Sequence, residues 1–455
     1  MLPDARPGRF PFGFSVARRP ETVADYPRMR DRMGNHSWRW AAIVLAASMA
    51  AWLCYAGAKH ERASRAASSA NPDDWLRAAQ IEPGNAETWY RLGRYRQLDF
   101  ENADLALAVT YYRRAVELNP RSAYEKLDLA GALEMSGQDA EAEKYFRAAQ
   151  ENYPASAEVA WRYGNFLLRQ GRLPESYAQI HRAAVADPAL IPLAVSRGWN
   201  SSGDASVVLD KILPPTPSAH WEALTFFLQA REGLAAVEVW NRLLALKFPI
   251  EWTRVFGLID SLISQDLFDQ AETVWRQALV AGEAPLPPSS GASLVFDGGF
   301  EAEPTAGGFG WRLQTVPGAE FTFDTAERHS GARSLRIAFD GSQNLYFEHV
   351  VQYILVQPRA RYRFEAFLRT DGISTNSGIG FEIRNPRMTG DISVITPGQT
   401  GSQPWTLQEV EFTTGPETRL LRIAIRRAPS GRIDNKLRGT VWVDDVALVP
   451  AGSPR

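Results

Sequence analysis

The apolar residues in the middle of the chain recur at helical spacing, in units that prolines mark off. Three of these prolines lie 34 residues apart (154 − 120, and 188 − 154): Pro120, Pro154 and Pro188. Ahead of Pro154, the residues Ala142, Phe146 and Ala149 place small, large and small side chains on one helical face. Proline then ends the helix, because it lacks an N–H and clashes with the preceding turn. The pattern predicts paired helices that repeat along the chain.

A different pattern runs from Leu294 to Val449. Apolar and polar residues alternate there in short runs such as "EFTFDT", "RYRFEAFLRT" and "TVWVDDVALV", and glycine, proline, asparagine and aspartate separate the runs. About eight such runs, with no helical segment between them, predict an antiparallel β-sandwich.

A third pattern is the uncharged segment Trp40–Ala58, which lies between Arg39 and Lys59. Its length is sufficient to cross the hydrocarbon core of a bilayer as a helix, and its aromatic residues lie towards its ends. We therefore predict a transmembrane anchor. The basic residues before the segment slightly outnumber those after it, which favours a cytoplasmic N-terminus and an extracytoplasmic C-terminal part.

The helical units resemble the tetratricopeptide repeat. The first helix carries "WYRLG" (Trp89 to Gly93), and the alanine, aromatic, alanine and proline positions follow at the spacing of that repeat. The match is best over residues 86–188. The half-unit "DDWLRAAQIEP" precedes it, and two weaker helix pairs follow it, "HWEALTFFLQAREG" with "LAAVEVWNRLLALKFP" and "EWTRVFGLIDSLISQ" with "FDQAETVWRQALVAG". The resemblance implies stacked repeats that hold a protein partner.

The C-terminal part resembles the jelly-roll carbohydrate-binding modules of the family 4/9 type, within the galactose-binding-like group. The stretches that carry the resemblance are "VFDGGFE", "HSGARSLRI", "YRFEAFLRT", "PWTLQEVEFTT" and "GTVWVDDVAL", in that order. It implies a structural calcium ion between the opening segment and the closing strand, where Glu301, Asp444 and Asp445 supply carboxylates. The alternative is that the aspartates only end a strand and cap a turn.

A sugar site in such a module needs flat aromatic rings with polar neighbours. The candidates are Trp311, Tyr346, Tyr353 and Trp405. Aromatic residues also fill sandwich cores, so each candidate has a structural alternative. A basic run on one hairpin, Arg422 to Arg438, offers either an anionic surface contact or a solvated strand edge.

Composition excludes several functions. A net charge of −2 and a pI near 6.4 give no whole-chain basis for binding nucleic acid. The single cysteine, Cys54, permits neither a disulfide framework nor a thiolate zinc site. The six histidines show no metal-ligand spacing, and the phosphate-loop, zinc-protease and serine-hydrolase motifs do not occur. We therefore predict a protein that is not an enzyme and requires no cofactor.

The sequence thus predicts a multidomain chain with a transmembrane helix, an all-α tetratricopeptide-like superhelix and an all-β jelly-roll sandwich. The predicted segments are a disordered cytoplasmic tail, an anchor, a linker, the repeats, a second linker and the sandwich, at residues 1–39, 40–58, 59–71, 72–283, 284–292 and 293–450.

The predicted function is a membrane-anchored scaffold of the bacterial inner membrane, with its C-terminal part periplasmic. Its repeats bind a protein and its sandwich binds glycan, in a role in polysaccharide assembly or export. One alternative is an enzyme with an all-helical catalytic domain in residues 72–283, which needs paired carboxylates in one cleft. Another is a protein-interaction subunit that does not bind sugar. Two questions stay open: whether the N-terminal segment is cleaved after Ala58, and whether translation starts at Met33.

Overall fold

The computed structural model describes residues 36–282, 292–387 and 391–451, with side chains from Trp38 onward. The predicted tail, up to residue 35, and the second predicted linker, up to residue 291, lie outside these ranges. The chain forms two compact units, residues 1–120 and 121–455, which are described separately.

In its described residues, from His36 onward, the first unit contains four helices. They are α1 (His36–Ala67), α2 (Pro72–Ile81), α3 (Ala86–Leu98) and α4 (Leu105–Leu118). A capping residue precedes each of the last three helices, and its side chain accepts a backbone N–H of the first turn; these residues are Asn71, Asn85 and Asp104. In α3, a Cβ on Gly93 would lie 2.6 Å from the ring of Tyr112, so the glycine of "WYRLG" lets α3 and α4 approach closely.

Helix α1 is apolar and long enough to cross a membrane. The candidate span is Trp38–Ala67, and none of its most apolar 18-residue stretch is buried within the protein. The helix continues without a break through residues 59–67, which we predicted as a linker.

The second unit begins with ten helices. They are α5 (Ala123–Met135), α6 (Asp139–Asn152), α7 (Ala157–Arg169), α8 (Leu173–Ala186), α9 (Ile191–Ser202), α10 (Ala205–Val207), α11 (Pro217–Ala230), α12 (Gly233–Ala245), α13 (Trp252–Ser264) and α14 (Phe268–Ala281). Helices α6 and α8 end two residues before Pro154 and Pro188, as the sequence predicts. The two weaker pairs are also present, as α11–α12 and α13–α14. The pair α9–α10, in which a π-helical turn at Val208–Ile212 follows three residues of α10, was not predicted.

In residues 292–387 and 391–451, the C-terminal part of this unit contains ten strands in two antiparallel sheets. They are β1 (Arg312–Leu313), β2 (Ala319–Asp324), β3 (Ser334–Asp340), β4 (Phe347–Leu355), β5 (Arg361–Ile373), β6 (Gly380–Arg384), β7 (Ser393–Ile395), β8 (Gly401–Thr413), β9 (Leu420–Arg427) and β10 (Arg438–Pro450). The first sheet has the order β1-β4-β9-β6-β7 and the second β2-β3-β10-β5-β8. From β3 onward the chain crosses between the sheets at most connections, and side chains of both sheets share one core. The predicted all-β sandwich is confirmed.

The sandwich packs directly against the last helix pair. Trp275 of α14 lies with its ring centroid 5.3 Å from that of Phe296 and 6.3 Å from that of Phe309. Three arginines of the sandwich face three aspartates of α13–α14 and the turn between them: Arg312 with Asp260, Arg387 with Asp266, and Arg419 with Asp269. All the cations lie on one partner and all the anions on the other, so the junction combines apolar packing with charge complementarity.

The basic hairpin is not a single charged stripe. Arg422 lies 2.8 Å from Glu348 and 3.8 Å from Glu382, both from neighbouring strands of the first sheet. Arg427 is fully buried. The interpretation of this run as an anionic-ligand stripe is therefore not supported, because strand pairing brings acidic partners to Arg422 and places Arg427 inside the sandwich.

Candidate functional site

Alternation along β5 divides its side chains between the core and the outer surface of the second sheet. Phe364, Ala366 and Leu368 belong to the core, whereas Phe367 and Arg369 between and beyond them do not. Strand pairing places Leu407 of β8 opposite Phe367 and Trp442 of β10 opposite Arg369. We call the outer surface formed by His329, Phe367, Arg369, Trp405 and Trp442 the aromatic face.

The rings of the aromatic face contact one another. The His329 ring stacks on Phe367 with centroids 3.6 Å apart, and it lies 5.8 Å from the Trp405 ring in an edge-on arrangement. The Arg369 guanidinium lies 5.2 Å above the ring of Trp442. Flat rings therefore stand beside a cation and an imidazole on one surface.

Polar side chains hold these rings in place. The indole Nε1 of Trp442 donates to Asp324 Oδ2 at 2.8 Å. His329 Nδ1 lies 2.6 Å from Asp445 Oδ2, and Ser330 Oγ donates to Asp445 Oδ1 at 2.7 Å. Because Asp445 contacts both His329 and Ser330, it fixes the orientation of the imidazole over Phe367.

A cleft opens at the end of the aromatic face. Its volume is about 420 Å³, and its lining residues are Arg369, Thr370, Asp371, Ser402, Gln403, Pro404 and Trp405. A guanidinium, a carboxylate, hydroxyls and an amide thus stand around one half-buried indole. Binding sites for small polar ligands combine an aromatic surface with a few hydrogen-bonding groups in this way.

The four predicted sugar-contacting residues do not lie together. Trp405 lines the cleft. Trp311 is 2% exposed, stacks on Phe300 in the core and donates its indole N–H to Asp297 O, so it has no free face for a sugar. Tyr353 lies beneath Arg312 at the junction with the helices, and Tyr346 is exposed ahead of β4. His329, Phe367 and Arg369 were missed, because only the register of β5 and the position of the 329–332 loop bring them beside Trp405.

The carboxylates that we predicted as calcium ligands lie close together, but their oxygens already accept hydrogen bonds from other residues of the protein. Asp444 Oδ2 accepts the backbone N–H groups of His329 and Ser330 at 2.8 and 3.1 Å, and Glu301 Oε1 accepts that of Ala332 at 2.8 Å. Both oxygens of Asp445 have partners as well. In the described ranges no group of three or more histidine, cysteine, aspartate or glutamate residues could hold a metal ion. All three carboxylates thus accept hydrogen bonds from the protein, and a calcium ion at this place stays a prediction of the resemblance.

Burial affects the electrostatics of this region. It raises the pKa of the Asp444 carboxyl to about 6, and the neighbouring Asp445 adds to the increase. Burial also raises the pKa of Asp297, although its carboxylate accepts the backbone N–H groups of Glu301 and Ala302. The Asp444 carboxyl thus ties the 329–332 loop to β10, whereas the Asp297 carboxyl closes a turn within the opening segment.

The helical repeats place their first helices side by side. Arg162 of α7 reaches Asp128 of α5 at 2.7 Å and also donates to Leu127 O. Arg254 of α13 reaches Glu222 of α11 at 3.0 Å. Neighbouring first helices in a tetratricopeptide-type stack line one continuous surface, which is where such stacks bind protein segments.

Comparison with known proteins gives short and distant similarities. No family model matches the chain. The human protein IFIT1 homolog B is 30% identical over 135 residues, which are 29% of this chain and 27% of that protein, so the match covers about a quarter of the relative.

Two solved structures match different parts of the chain. YrrB, described as a TPR protein with an unusual peptide-binding site, is 11% identical with a TM-score of 0.25, covering 47% of this chain and 95% of its own. A family 16 carbohydrate-binding module is 15% identical with a TM-score of 0.25, covering 34% of this chain and 99% of its own. At that TM-score neither likeness bears on function. By its own repeat spacing and strand order, the chain consists of helix pairs with the spacing of tetratricopeptide repeats and a sandwich of two antiparallel sheets, and the likeness of that sandwich to carbohydrate-binding modules of the 4/9 type stays a prediction.

Proposed function

We propose that the protein is a membrane-anchored, non-catalytic binding protein that presents two surfaces. Its repeats bind a protein partner, and the cleft beside Trp405 binds a polysaccharide. The observation that carries the proposal is the cleft itself, in which an indole stands beside Arg369, Asp371 and Gln403. A pyranose has an apolar face that packs on a flat ring and hydroxyls that hydrogen-bond to the surrounding side chains.

The location is part of the proposal. The apolar helix α1 supports an anchor in a bacterial inner membrane, and the basic residues ahead of it support a periplasmic C-terminal part. A glycan-binding surface on the periplasmic side would suit the assembly or export of an envelope polysaccharide.

Replacing Trp405 by alanine tests the sugar site. We expect Trp405→Ala to weaken binding to a retained polysaccharide about five- to thirtyfold, because the lost stacking and burial amount to about 1–2 kcal/mol. The measurement is affinity electrophoresis of the detergent-solubilised full chain through neutral and acidic polysaccharides. Tyr346→Ala is the matched control, since this exposed tyrosine does not line the cleft. Equal retardation of wild type and Trp405→Ala, or no retardation in any polymer, would exclude the site.

The resemblance predicts a calcium ion at Glu301, Asp444 and Asp445, whereas these carboxylates already accept hydrogen bonds from the protein, and a chelator distinguishes the two. Because backbone N–H groups already occupy Asp444 and Glu301, we expect EGTA to change neither the retardation nor the unfolding temperature of the sandwich. A drop in unfolding temperature with EGTA that added calcium reverses, and that Asp445→Asn abolishes, would instead assign an ion to these carboxylates.

A further inference from the structure

Helix α1 does not end where its apolar part ends. Beyond Ala58 it continues to Ala67, and Ala63 in this extension is 3% exposed. His60 Nδ1 lies 3.2 Å from Glu82 Oε1 at the end of α2, and Arg91 of α3 donates to Ala67 O at 2.6 Å. The last turns of α1 are therefore a packed part of the first helix pairs rather than a free linker.

These contacts fix the direction of α2 and α3. Trp75, near the start of α2, donates its indole N–H to Ser69 O just after the end of α1, whereas Glu82 at the other end of α2 reaches back to His60. Helix α2 therefore runs back towards the apolar segment. The turn between α2 and α3, residues 82–85, lies level with His60, and α3 leads away again.

The rise of a helix gives the depth of this turn. His60 is two residues beyond Ala58, which is about 3 Å along the helix axis. The polar headgroup layer on each side of a bilayer is about 5–7 Å thick. A turn level with His60 therefore lies within the headgroup layer if Ala58 marks the edge of the hydrocarbon.

The chemistry of the turn suits that position. Pro83 and Gly84 are exposed, and Trp89 at the start of α3 donates its indole N–H to Pro83 O at 3.1 Å. The Trp89 ring is half-exposed and lies 5.6 Å from that of Tyr111. Tryptophan and tyrosine are enriched at the headgroup level, where one part of the ring is apolar and the other is hydrated.

We propose that the α2–α3 turn, residues 82–85 with Trp89, is a lipid-headgroup contact surface that holds the first repeat against the membrane. The proposal rests on the membrane anchor proposed above. It makes the start of the repeat array a fixed extension of the anchor instead of a domain on a flexible tether.

Site-specific fluorescence quenching tests the proposal. The full chain is reconstituted in vesicles of phosphatidylethanolamine and phosphatidylglycerol that carry nitroxide lipids, with a bimane label on a single cysteine. Native Cys54 reports on the span itself. In a Cys54→Ser background, Gly84→Cys places the label on the turn, where a side chain meets no neighbour within 4 Å. Ala103→Cys is the distal control, in the turn after α3, which is about 20 Å long.

We expect headgroup nitroxides to quench most of the fluorescence at position 84 and little of that at position 103. A three-residue Gly-Ser-Gly insertion after Ala58 should remove the quenching at 84 while the label on Cys54 stays quenched by acyl-chain nitroxides. Quenching at Cys54 with none at 84 would overturn the headgroup contact alone. No quenching at Cys54 would overturn the anchor and the contact together.

Discussion

Replacing Arg427 by methionine should destabilise the sandwich by about 3–5 kcal/mol, because it leaves several buried acceptors without a donor. The guanidinium is 0% exposed and donates to Asn344 Oδ1, Leu345 O and Thr375 Oγ1 at 2.9, 2.7 and 3.1 Å. Longer bonds reach the backbone oxygens of Ser377 and Asn435. Burial lowers the pKa of this group, and its contacts join three loops at one end of the sandwich.

Denaturant-dependent hydrogen exchange of strands β4 and β9 measures this effect. Arg432→Met in the same hairpin is the control, because Arg432 is exposed and its removal should change stability by about 0.5 kcal/mol or less. Arg427→Lys should also destabilise, since an ammonium group cannot reproduce the planar fork of donors. If hydrogen exchange in Arg427→Met were as slow as in the wild type, the buried network would contribute nothing to stability.

Trp275→Ala should lower the free energy of unfolding by about 3–5 kcal/mol. The effect should reach both sides of the junction between the repeats and the sandwich. The Trp275 ring is 5% exposed and packs on Phe256, Phe296 and Phe309. A Cβ on Gly308 of the sandwich would lie 2.7 Å from it, so the two surfaces are in close contact. Hydrogen exchange should accelerate in α14 and also in residues 292–313 and β4.

Trp240→Ala is the matched control for Trp275→Ala. Trp240 lies 35 residues earlier (275 − 240) in the equivalent helix α12, is fully buried and donates to Gln277 Oε1 at 2.8 Å. Its loss should leave a comparable cavity within the helices and accelerate exchange there without affecting the sandwich. If Trp275→Ala likewise affected only the helices, the junction would be a weak contact and not a structural joint.

The sequence predicted the repeats well for a physical reason. Proline after each second helix, and small residues where helices approach closely, are local requirements of the packing, as Gly93 against Tyr112 illustrates. The pair α9–α10 escaped prediction because its second helix has only three residues and continues as a π-helical turn before Pro214 and Pro215.

The candidate site was predicted less completely, because it depends on register. Alternation shows that a strand has two faces but not which face is inside, and a shift of one residue exchanges them. Trp311 and Trp405 were both candidates from sequence, with the core favoured for Trp405, although Trp311 is in the core and Trp405 lines the cleft. In the same way, Arg427 points inward because of its position in β9. The many basic residues of the hairpin gave no indication of this in the sequence.

The central claim is that a polysaccharide binds at the cleft beside Trp405, on a sandwich that is joined to membrane-tethered repeats. Hydrogen exchange of the full chain with and without the polysaccharide that retards it tests the claim most directly. We predict slower exchange in residues 367–371 and 402–406, which form the cleft and the adjoining aromatic face. Protection confined to the helices of residues 123–281, or to β4 and β9 of the first sheet, would contradict it.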